Sequence, residues 1–142
     1  MSEITCTRII EFDAAHRVKD ISSKCRFLHG HRYRAECTFI AAELDNLGMV
    51  ADFGIIKELL GGWIDTHWDH NVILFVKDMD LGLSIQNIIT DQNIFYLPCN
   101  PTAENMALYL KNEVCPKLFV DYNITCQKIK LYETPNCFAT SM

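Results

Sequence analysis

Three histidines occupy the positions in this chain that are best suited to chemistry. His29 and His31 stand two residues apart in the segment CRFLHGH (25–31), and His16 ends the upstream segment FDAAH (12–16). Residues two apart on an extended strand point to the same side of it. Two imidazoles from one strand and a third from elsewhere form the ligand set of zinc sites that keep an open position for catalysis. Imidazoles also bind copper, nickel and iron, so spacing alone predicts a metal site without fixing the metal.

Cys25 lies four residues before the first of the paired histidines, between Lys24 and Arg26. Positive charge on both neighbours, together with a metal ion close by, favours the reactive thiolate form. We interpret Cys25 as a general base beside the open metal position. Two alternatives stay open: a fourth metal ligand, which would close the site and make it structural, and one more buried thiol among seven cysteines.

Other polar residues suggest proton transfer and ligand binding. Asp69 precedes His70, and at a helix end or turn a carboxylate can orient an imidazole for proton transfer, although the spacing alone favours a solvated helix terminus. Glu133 ends an apolar row, where a carboxylate needs a partner such as the edge of a guanidine-like heterocycle or a salt bridge at the rim. Thr102 and Glu104 also fit a helix cap and an acidic first turn.

The composition predicts one globular domain over residues 1–142, because 49% hydrophobic and 22% charged residues are close to globular averages. The formal charge of −5 argues against a nucleic-acid partner, which requires clustered cations. Basic residues do gather beside the histidines, where they suit a small anionic substrate. They are Arg17, Lys19, Lys24, Arg26, Arg32 and Arg34.

The chain contains no run of roughly 20 apolar residues that would predict a membrane span. Its first residues include Glu3 and no apolar run, so we expect no secretory signal. Seven cysteines without a CxxC pair predict reduced thiols and a cytoplasmic protein.

Two neighbouring strands must position the histidines. In the first strand, alternate residues are expected to face the core, and His16 is the last of them. Arg8 interrupts this alternation, and we interpret it as a bulge or an interface contact. In the second strand, His29 and His31 are the first of the alternate residues that are expected to face the core. The apolar positions are Ile4, Cys6, Ile10, Phe12 and Ala14 in the first strand, and Tyr33, Ala35, Cys37, Phe39 and Ala41 in the second.

The remaining pattern predicts two amphipathic helices and a final strand. Helical spacing covers residues 53–66, and a second helix begins after Thr102 and is expected to end at Pro116. A strand over 124–133 places Gln127 and Glu133 on one face. Between residues 71 and 98 the pattern is weak, with a helix or turn near 78–86 and a short strand near 94–97.

Six segments together resemble the superfamily that contains 6-pyruvoyl-tetrahydropterin synthase and 6-carboxytetrahydropterin synthase. No single segment is decisive, but the set is highly specific and spans nearly the whole chain in the family's order. The segments are FDAAHR (12–17), the stretch from Cys25 to Tyr33, MVADF (49–53), DHN (69–71), PTAEN (101–105) and YET (132–134).

The distance between the cysteine and the HGH motif distinguishes branches of this superfamily. Three residues separate Cys25 from His29, which is similar to the bacterial carboxy-forming pattern CxxxHGH. Pyruvoyl-forming enzymes typically have a longer gap, and a branch linked to folate synthesis has glutamate in place of the cysteine. The resemblance therefore implies the carboxy-forming enzyme of queuosine and 7-deazapurine biosynthesis. The alternatives are the pyruvoyl-forming enzyme and a non-catalytic, zinc-stabilised assembly module.

The resemblance also implies an α+β tunnelling fold, with a four-stranded antiparallel sheet and two helices on one face. In this family trimers close their sheets into an oligomeric barrel, and two trimers stack into a homohexamer with active sites between subunits. The implied substrate is 7,8-dihydroneopterin triphosphate. Its conversion to a 6-carboxy-tetrahydropterin releases triphosphate and acetaldehyde in a lyase step.

The matching positions imply a role for each candidate residue. The implied Zn2+ ligands are His16, His29 and His31; the implied base is Cys25; the second proton-transfer pair is Asp69 and His70; the pterin anchor is Glu133; and weaker pterin contacts are Thr102 and Glu104. The sequence departs from the family pattern at Trp68, where leucine is usual, and in the segment 72–98, which is longer than in a minimal member. Neither departure removes a chemical group.

Overall fold

A six-stranded mixed sheet forms the centre of the protein, in a computed structural model that describes residues 4–142. Its strands lie in the spatial order β4-β3-β1-β2-β5-β6. Their bounds are β1 (Thr5–His16), β2 (His29–Ile40), β3 (Asn71–Phe75), β4 (Ile94–Leu97), β5 (Thr125–Thr134) and β6 (Cys137–Ser141).

The sheet combines an antiparallel part with a parallel part. Strands β1, β2, β5 and β6 pair in antiparallel fashion, which is the four-stranded arrangement that the resemblance implies. Strands β3 and β4 extend this part beyond β1 by parallel pairing, so the sheet has six strands and not four. Both additional strands come from the segment 71–98, where the buried run VILF (72–75) lacks the alternation that reveals a half-exposed strand.

Three helices complete the α+β fold. Helix α1 covers residues 53–67, α2 covers Met79–Ile88 and α3 covers residues 103–118, while a short 3-10 turn at Lys24–Arg26 precedes β2. A π-helical stretch interrupts α1 at Lys57–Gly61 and α3 at Leu110–Val114. The expectation that Pro116 ends α3 was wrong, because Pro116 lies in the first turn of the helical segment that follows the π-helical stretch. A missing N–H is tolerated there.

Helices α1 and α3 pack on one face of the sheet, as expected, and enclose the hydrophobic core. The predicted apolar stripes are buried in both helices, and the core-facing parity of β2 is buried over four alternating positions. Core residues include Ile56, Leu60 and Ile64 from α1; Met106, Ala107, Leu110 and Val114 from α3; and Tyr33, Ala35, Cys37 and Phe39 from β2.

The strand registers correct two details of the sequence analysis. Strand β1 pairs with β2 without interruption from Thr5 to His16, so Arg8 causes no bulge. An irregularity between Thr38 and Phe39 shifts the pairing of β2 with β5 instead. This shift buries Cys126 and leaves Gln127 exposed, contrary to the predicted parity.

Within residues 4–142, every helix falls short of the length and apolar character that a membrane crossing requires. All seven cysteines are free of disulfide bonds.

Candidate metal centre and active site

The three predicted histidines converge at the end of the β1–β2 pair. The antiparallel register places His16 opposite His29, and Ala14 opposite His31. The ring centroids of His16 lie 4.7 Å from His29 and 5.1 Å from His31, and those of His29 and His31 lie 4.8 Å apart. One ligand nitrogen from each ring falls within 4.8 Å of the others. The period-2 spacing of the sequence therefore brings together a group that can hold a metal ion.

Backbone carbonyls fix the tautomers of two of these rings. The Nδ1 of His16 lies 2.6 Å from the carbonyl oxygen of Pro101, and the Nδ1 of His29 lies 2.6 Å from that of Phe27. Because a carbonyl only accepts, each Nδ1 carries the proton and leaves the Nε2 lone pair free. Such outer hydrogen bonds orient metal-binding imidazoles in many proteins.

The unpartnered nitrogens indicate that the group fits a metal ion. The Nε2 atoms of His16 and His31 are buried and have no hydrogen-bond partner. Buried polar atoms are normally satisfied, and a metal ion would satisfy both. Burial lowers the pKa of His16 to about 4 and also lowers the pKa of His31. Both rings are therefore neutral at physiological pH, which is the form that binds a metal.

Glu133 lies beside the same group, at the predicted end of the apolar row in β5. Its carboxylate oxygens are 3.9 Å from the Nε2 of His16 and 3.8 Å from the Nε2 of His31. The carboxylate also accepts the backbone N–H of Ala103. Burial, followed by the charge of Glu104, raises the pKa of Glu133. The beginning of α3 thus adjoins the histidines.

Thr102 caps α3, as its position before the apolar stripe predicts. Its hydroxyl oxygen accepts the N–H of Asn105 at 3.1 Å. Glu104 is exposed in the first turn of the helix. The structure therefore places Thr102, Glu104 and Glu133 in one region with the histidines.

Cys25 lies on the exposed 3-10 turn between β1 and β2, next to the histidine group in sequence. Among residues 4–142, the group of ligand atoms around the histidines contains three imidazoles and no thiol. This arrangement differs from the closed site in which Cys25 is the fourth ligand. The carbonyl of Cys25 accepts the N–H of Val18 at 2.8 Å, which ties the turn to the residues after His16.

Asp69 and His70 form the predicted carboxylate–imidazole pair. The Oδ2 of Asp69 is 3.1 Å from the Nδ1 of His70, and its Oδ1 accepts the N–H of Asp13 at 3.0 Å. Burial would raise the pKa of Asp69, but the bonds from Asp13 and His70 and the charge of Arg32 lower it overall. The backbone of His70 is left-handed, with φ at 61°, and its N–H donates to the carbonyl of Asp13 at 2.6 Å.

This pair does not join the metal group within one chain. Asp69 and His70 cluster with the carboxylate of Asp13, which accepts a 3.0 Å bond from Arg32. Asp13 alternates with Ala14 and His16 along β1, so its side chain lies on the face of the sheet opposite the histidines. The imidazole of His70 is 76% exposed on that face.

A large cavity lies elsewhere in the fold. It has a volume of about 1130 Å³ and is open to solvent at the far end of the sheet, between the loop after β2 and the loop before β5. None of the nine predicted site residues lines it. The histidine group therefore lies outside this cavity.

Several groups that support the site were not predicted by the sequence analysis. Asp13 belongs to the cluster around His70, and Gln92 donates to the carbonyl of His70 at 3.2 Å. The carbonyls of Phe27 and Pro101 hold two of the histidines. Only Asp13 had a usable signal, as an acidic residue on a predicted ligand strand. Backbone carbonyls have no residue-type signal at all.

Comparison with solved structures supports the fold. The protein aligns with an uncharacterized protein from Wolinella succinogenes at a TM-score of 0.80, with 18% identity and 97% coverage of both chains. It aligns with 6-pyruvoyl tetrahydropterin synthase from Plasmodium vivax at a TM-score of 0.68, with 17% identity and 98% coverage of both chains. At these identities, the likeness establishes the fold alone.

Comparison of sequences establishes the family. A protein from Rickettsia conorii named 6-carboxy-5,6,7,8-tetrahydropterin synthase is 55% identical over 135 residues, which cover 95% of this chain and 97% of that protein. A protein of the same name from Helicobacter pylori is 30% identical and covers 94% of this chain and 70% of that protein. The family model described as 6-pyruvoyl tetrahydropterin synthase matches residues 5–142. The chain therefore belongs to the 6-pyruvoyl tetrahydropterin synthase family.

Proposed function

We propose that this protein is a 6-carboxy-5,6,7,8-tetrahydropterin synthase. It would convert 7,8-dihydroneopterin triphosphate to the 6-carboxy product and release acetaldehyde and triphosphate. The observation that carries the proposal is 55% identity, over 95% of the chain, to a relative with that name. The three-residue gap between Cys25 and His29 points to the same branch of the family.

We propose that His16, His29 and His31 bind zinc through their Nε2 atoms. The buried, unpartnered Nε2 atoms of His16 and His31 and the neutral state of both rings support this assignment. Bound zinc would act as a Lewis acid that stabilises negative charge developing on the oxygens of the substrate side chain. Three imidazoles leave one position free for those oxygens.

The other residues near the metal group bind and deprotonate the substrate. Cys25, as a thiolate, would remove a proton from the substrate side chain. Glu133 would accept hydrogen bonds from the amino-pyrimidine edge of the pterin, a bidentate pairing that suits a carboxylate. Thr102 and Glu104, at the beginning of α3, are proposed as secondary pterin contacts.

The second proton-transfer pair is proposed to come from a neighbouring copy. Asp69 and His70 lie on the face opposite the histidines, and His70 is largely exposed. A second chain that presents this face to the metal group would bring the imidazole to the substrate. We propose that copies assemble through their sheets into barrel-shaped trimers, and that two trimers form a homohexamer. This assembly would also pair the open sheet edges at β4 and β6.

The proposed setting of the enzyme follows from these assignments. We propose that residues 1–142 form one pterin synthase domain in the cytoplasm, with a place in queuosine biosynthesis. Its proposed partners are the pterin triphosphate and other copies of the chain. We propose no nucleic-acid partner and no membrane partner.

The decisive experiment incubates the zinc-loaded protein with 7,8-dihydroneopterin triphosphate and measures acetaldehyde and pterin products. We expect stoichiometric acetaldehyde and 6-carboxy-tetrahydropterin from the wild type. We expect neither product from Cys25→Ala, which should retain its zinc because Cys25 lies outside the ligand group.

Two other results would replace the proposal. A pyruvoyl product without acetaldehyde would make the protein a 6-pyruvoyl-tetrahydropterin synthase. Absence of turnover, combined with loss of zinc from Cys25→Ala, would identify a closed structural site in an assembly module. Cys137→Ala is a matched control, because Cys137 is also exposed but lies on β6.

A further inference from the structure

A buried ion pair connects the segment after β3 to the residue that follows His16. The guanidinium of Arg17 donates two hydrogen bonds to Asp78, Nε to Oδ2 at 2.6 Å and Nη2 to Oδ1 at 2.5 Å. The Asp78 side chain is 5% exposed and that of Arg17 is 30% exposed. A bidentate pair of this kind fixes both the distance and the orientation of its partners.

Asp78 makes this bond in place of a local one. It occupies the position immediately before helix α2, where an aspartate ordinarily caps the helix by accepting a backbone N–H. Its side chain makes no capping bond and is directed to Arg17 instead. The carboxylate therefore serves a long-range contact, between residues 61 positions apart.

The two residues that follow Arg17 are held by the active-site segments. The N–H of Val18 donates to the carbonyl of Cys25 at 2.8 Å. The N–H of Lys19 donates to the Oδ1 of Asn100 at 2.8 Å, and the Nδ2 of Asn100 returns a bond to the carbonyl of Lys19 at 3.2 Å. Asn100 precedes Pro101, whose carbonyl holds His16. The short stretch 17–19 thus joins three separate segments.

Helix α2, which begins directly after Asp78, packs closely against strand β4. Tyr96 lies on β4, and a Cβ added to Gly82 in α2 would lie 2.0 Å from its hydroxyl oxygen. Only glycine permits this approach, so α2 is seated directly against β4. Burial and, as the smaller cause, the charge of Asp78 raise the pKa of the Tyr96 phenol. Helix α2, which begins after Asp78, therefore packs against β4.

We propose that the Arg17–Asp78 ion pair is a positioning element of the active site, given the roles proposed above for His16 and Cys25. It ties the segment 76–88 to the strand end that carries His16 and, through Val18, to the turn that carries Cys25. The long segment between β3 and β4 is then part of the catalytic framework and not a surface insertion. Neither Arg17 nor Asp78 contacts the substrate in this assignment.

The test compares Asp78→Asn with the wild type in three measurements. Iodoacetamide labelling, mapped by mass spectrometry, gives the ratio of the alkylation rates of Cys25 and Cys137, because both are exposed and Cys137 lies far along the chain on β6. Competition with a chromophoric chelator gives the zinc affinity. Steady-state kinetics give kcat and KM separately.

For Asp78→Asn we expect kcat to fall by about 10- to 100-fold with KM nearly unchanged, as for other residues that orient catalytic groups. We expect the Cys25-to-Cys137 alkylation ratio to change by at least about threefold, because the turn loses its fixed anchor. The zinc affinity should fall by about 10-fold. Arg17→Lys keeps the positive charge but cannot form the two parallel hydrogen bonds of a guanidinium. It should therefore give an intermediate result.

Two controls make the result decisive. Glu36→Gln breaks the surface Arg34–Glu36 pair, whose atoms lie 3.1 Å apart, and should leave all three measurements unchanged. The double variant Arg17→Gln/Asp78→Asn leaves no unpaired buried charge and should match Asp78→Asn, because residues that act as a unit are not additive. If the melting temperature falls while alkylation ratio, zinc affinity and kcat stay within about twofold of wild type, the pair is only structural and the inference fails. Should the wild type not convert the pterin, the alkylation ratio and zinc affinity still decide the point.

Discussion

The two groups of titratable residues in this protein are built in different ways. The histidine group lies on the helix-covered face of the sheet, and backbone carbonyls from two other segments orient His16 and His29. The Asp69–His70 pair lies on the opposite face, at a left-handed turn, and the His70 ring is mostly exposed. One chain therefore completes the first group and leaves the second open on one side.

In the proposed mechanism, this difference separates metal binding from proton transfer. In the proposed site, metal binding uses residues of one chain alone, because His16 ends β1 and the neighbouring strand β2 carries both His29 and His31. Proton transfer from His70, as proposed, would require a neighbouring chain, because Asp69 and His70 cluster with Asp13 and not with the histidine ligands.

The largest effect is expected from the substitution of one of the three histidine ligands. His31→Asn should abolish zinc retention and lower turnover below detection, because two imidazoles bind zinc far more weakly than three. Zinc content after dialysis and turnover check this result. His67→Asn is the matched control, since His67 packs against Trp63 and Phe95 outside the ligand group. Full zinc content in His31→Asn would show that the metal binds elsewhere.

A substitution in the open group should separate turnover from metal binding. His70→Asn removes the imidazole while asparagine tolerates the left-handed backbone at this position. We expect turnover to fall by about 10²- to 10⁴-fold, the usual value of a general acid or base, with zinc content unchanged. Loss of zinc from this variant would mean that the two groups are not independent.

Mixing two inactive variants tests whether the groups meet between chains. A Cys25→Ala chain keeps His70, and a His70→Asn chain keeps Cys25, so neighbours of different type can form an intact site. If equal amounts dissociate and reassemble at random, about one quarter of the sites contain both residues. We expect turnover near this fraction of the wild-type value. Turnover that stays at the level of the separate variants would place Cys25 and His70 of one chain in the same site.

Local periodicity was sufficient to predict the histidine group. Alternation along β2 placed His29 and His31 on the core-facing side, and the helical stripes of α1 and α3 showed which face they cover. The strand and helix periods act within a few residues, so they are visible in a single sequence.

Features that depend on distant contacts were not predictable. Strand β3 reads as an apolar run, because parallel pairing buries both of its faces. Strand β6 is short and largely exposed, so it shows no clear alternation. The face on which His70 lies depends on the pairing of Asn71 with Ala14, which no local pattern encodes. The carbonyl that orients His16 is 85 residues away.

The buried group also predicts a pH dependence of stability in the metal-free protein. Burial lowers the pKa of His16 to about 4 in the folded state, from an unfolded value of 6.5. Between these values the unfolded state binds more protons, so the free energy of unfolding falls as the pH falls from 6.5 towards 4. The full contribution is on the order of 3 kcal/mol.

Denaturant unfolding of chelator-treated protein at pH 7 and pH 4.5 measures this contribution. The variant His16→Asn has no imidazole to protonate, while its amide can still donate to the Pro101 carbonyl. We expect its free energy of unfolding to fall less between the two pH values than that of the wild type. Equal losses in both proteins would show that His16 is not buried in its neutral form.

The smallest effect concerns the cap of α3, which supports the buried group. The Thr102 hydroxyl accepts the N–H of Asn105, so Thr102→Ala should lower the free energy of unfolding by about 1 kcal/mol, measured by denaturant titration. Thr102→Asn should restore it, because asparagine caps equally well. The hydroxyl proton is not used by this cap and is available to a ligand, so we also expect KM to rise in Thr102→Ala. An unchanged KM would assign Thr102 to the helix cap alone. Thr102 follows Pro101, whose carbonyl accepts the Nδ1–H of His16 without help from the Thr102 hydroxyl. We therefore expect the zinc affinity of Thr102→Ala to weaken only slightly.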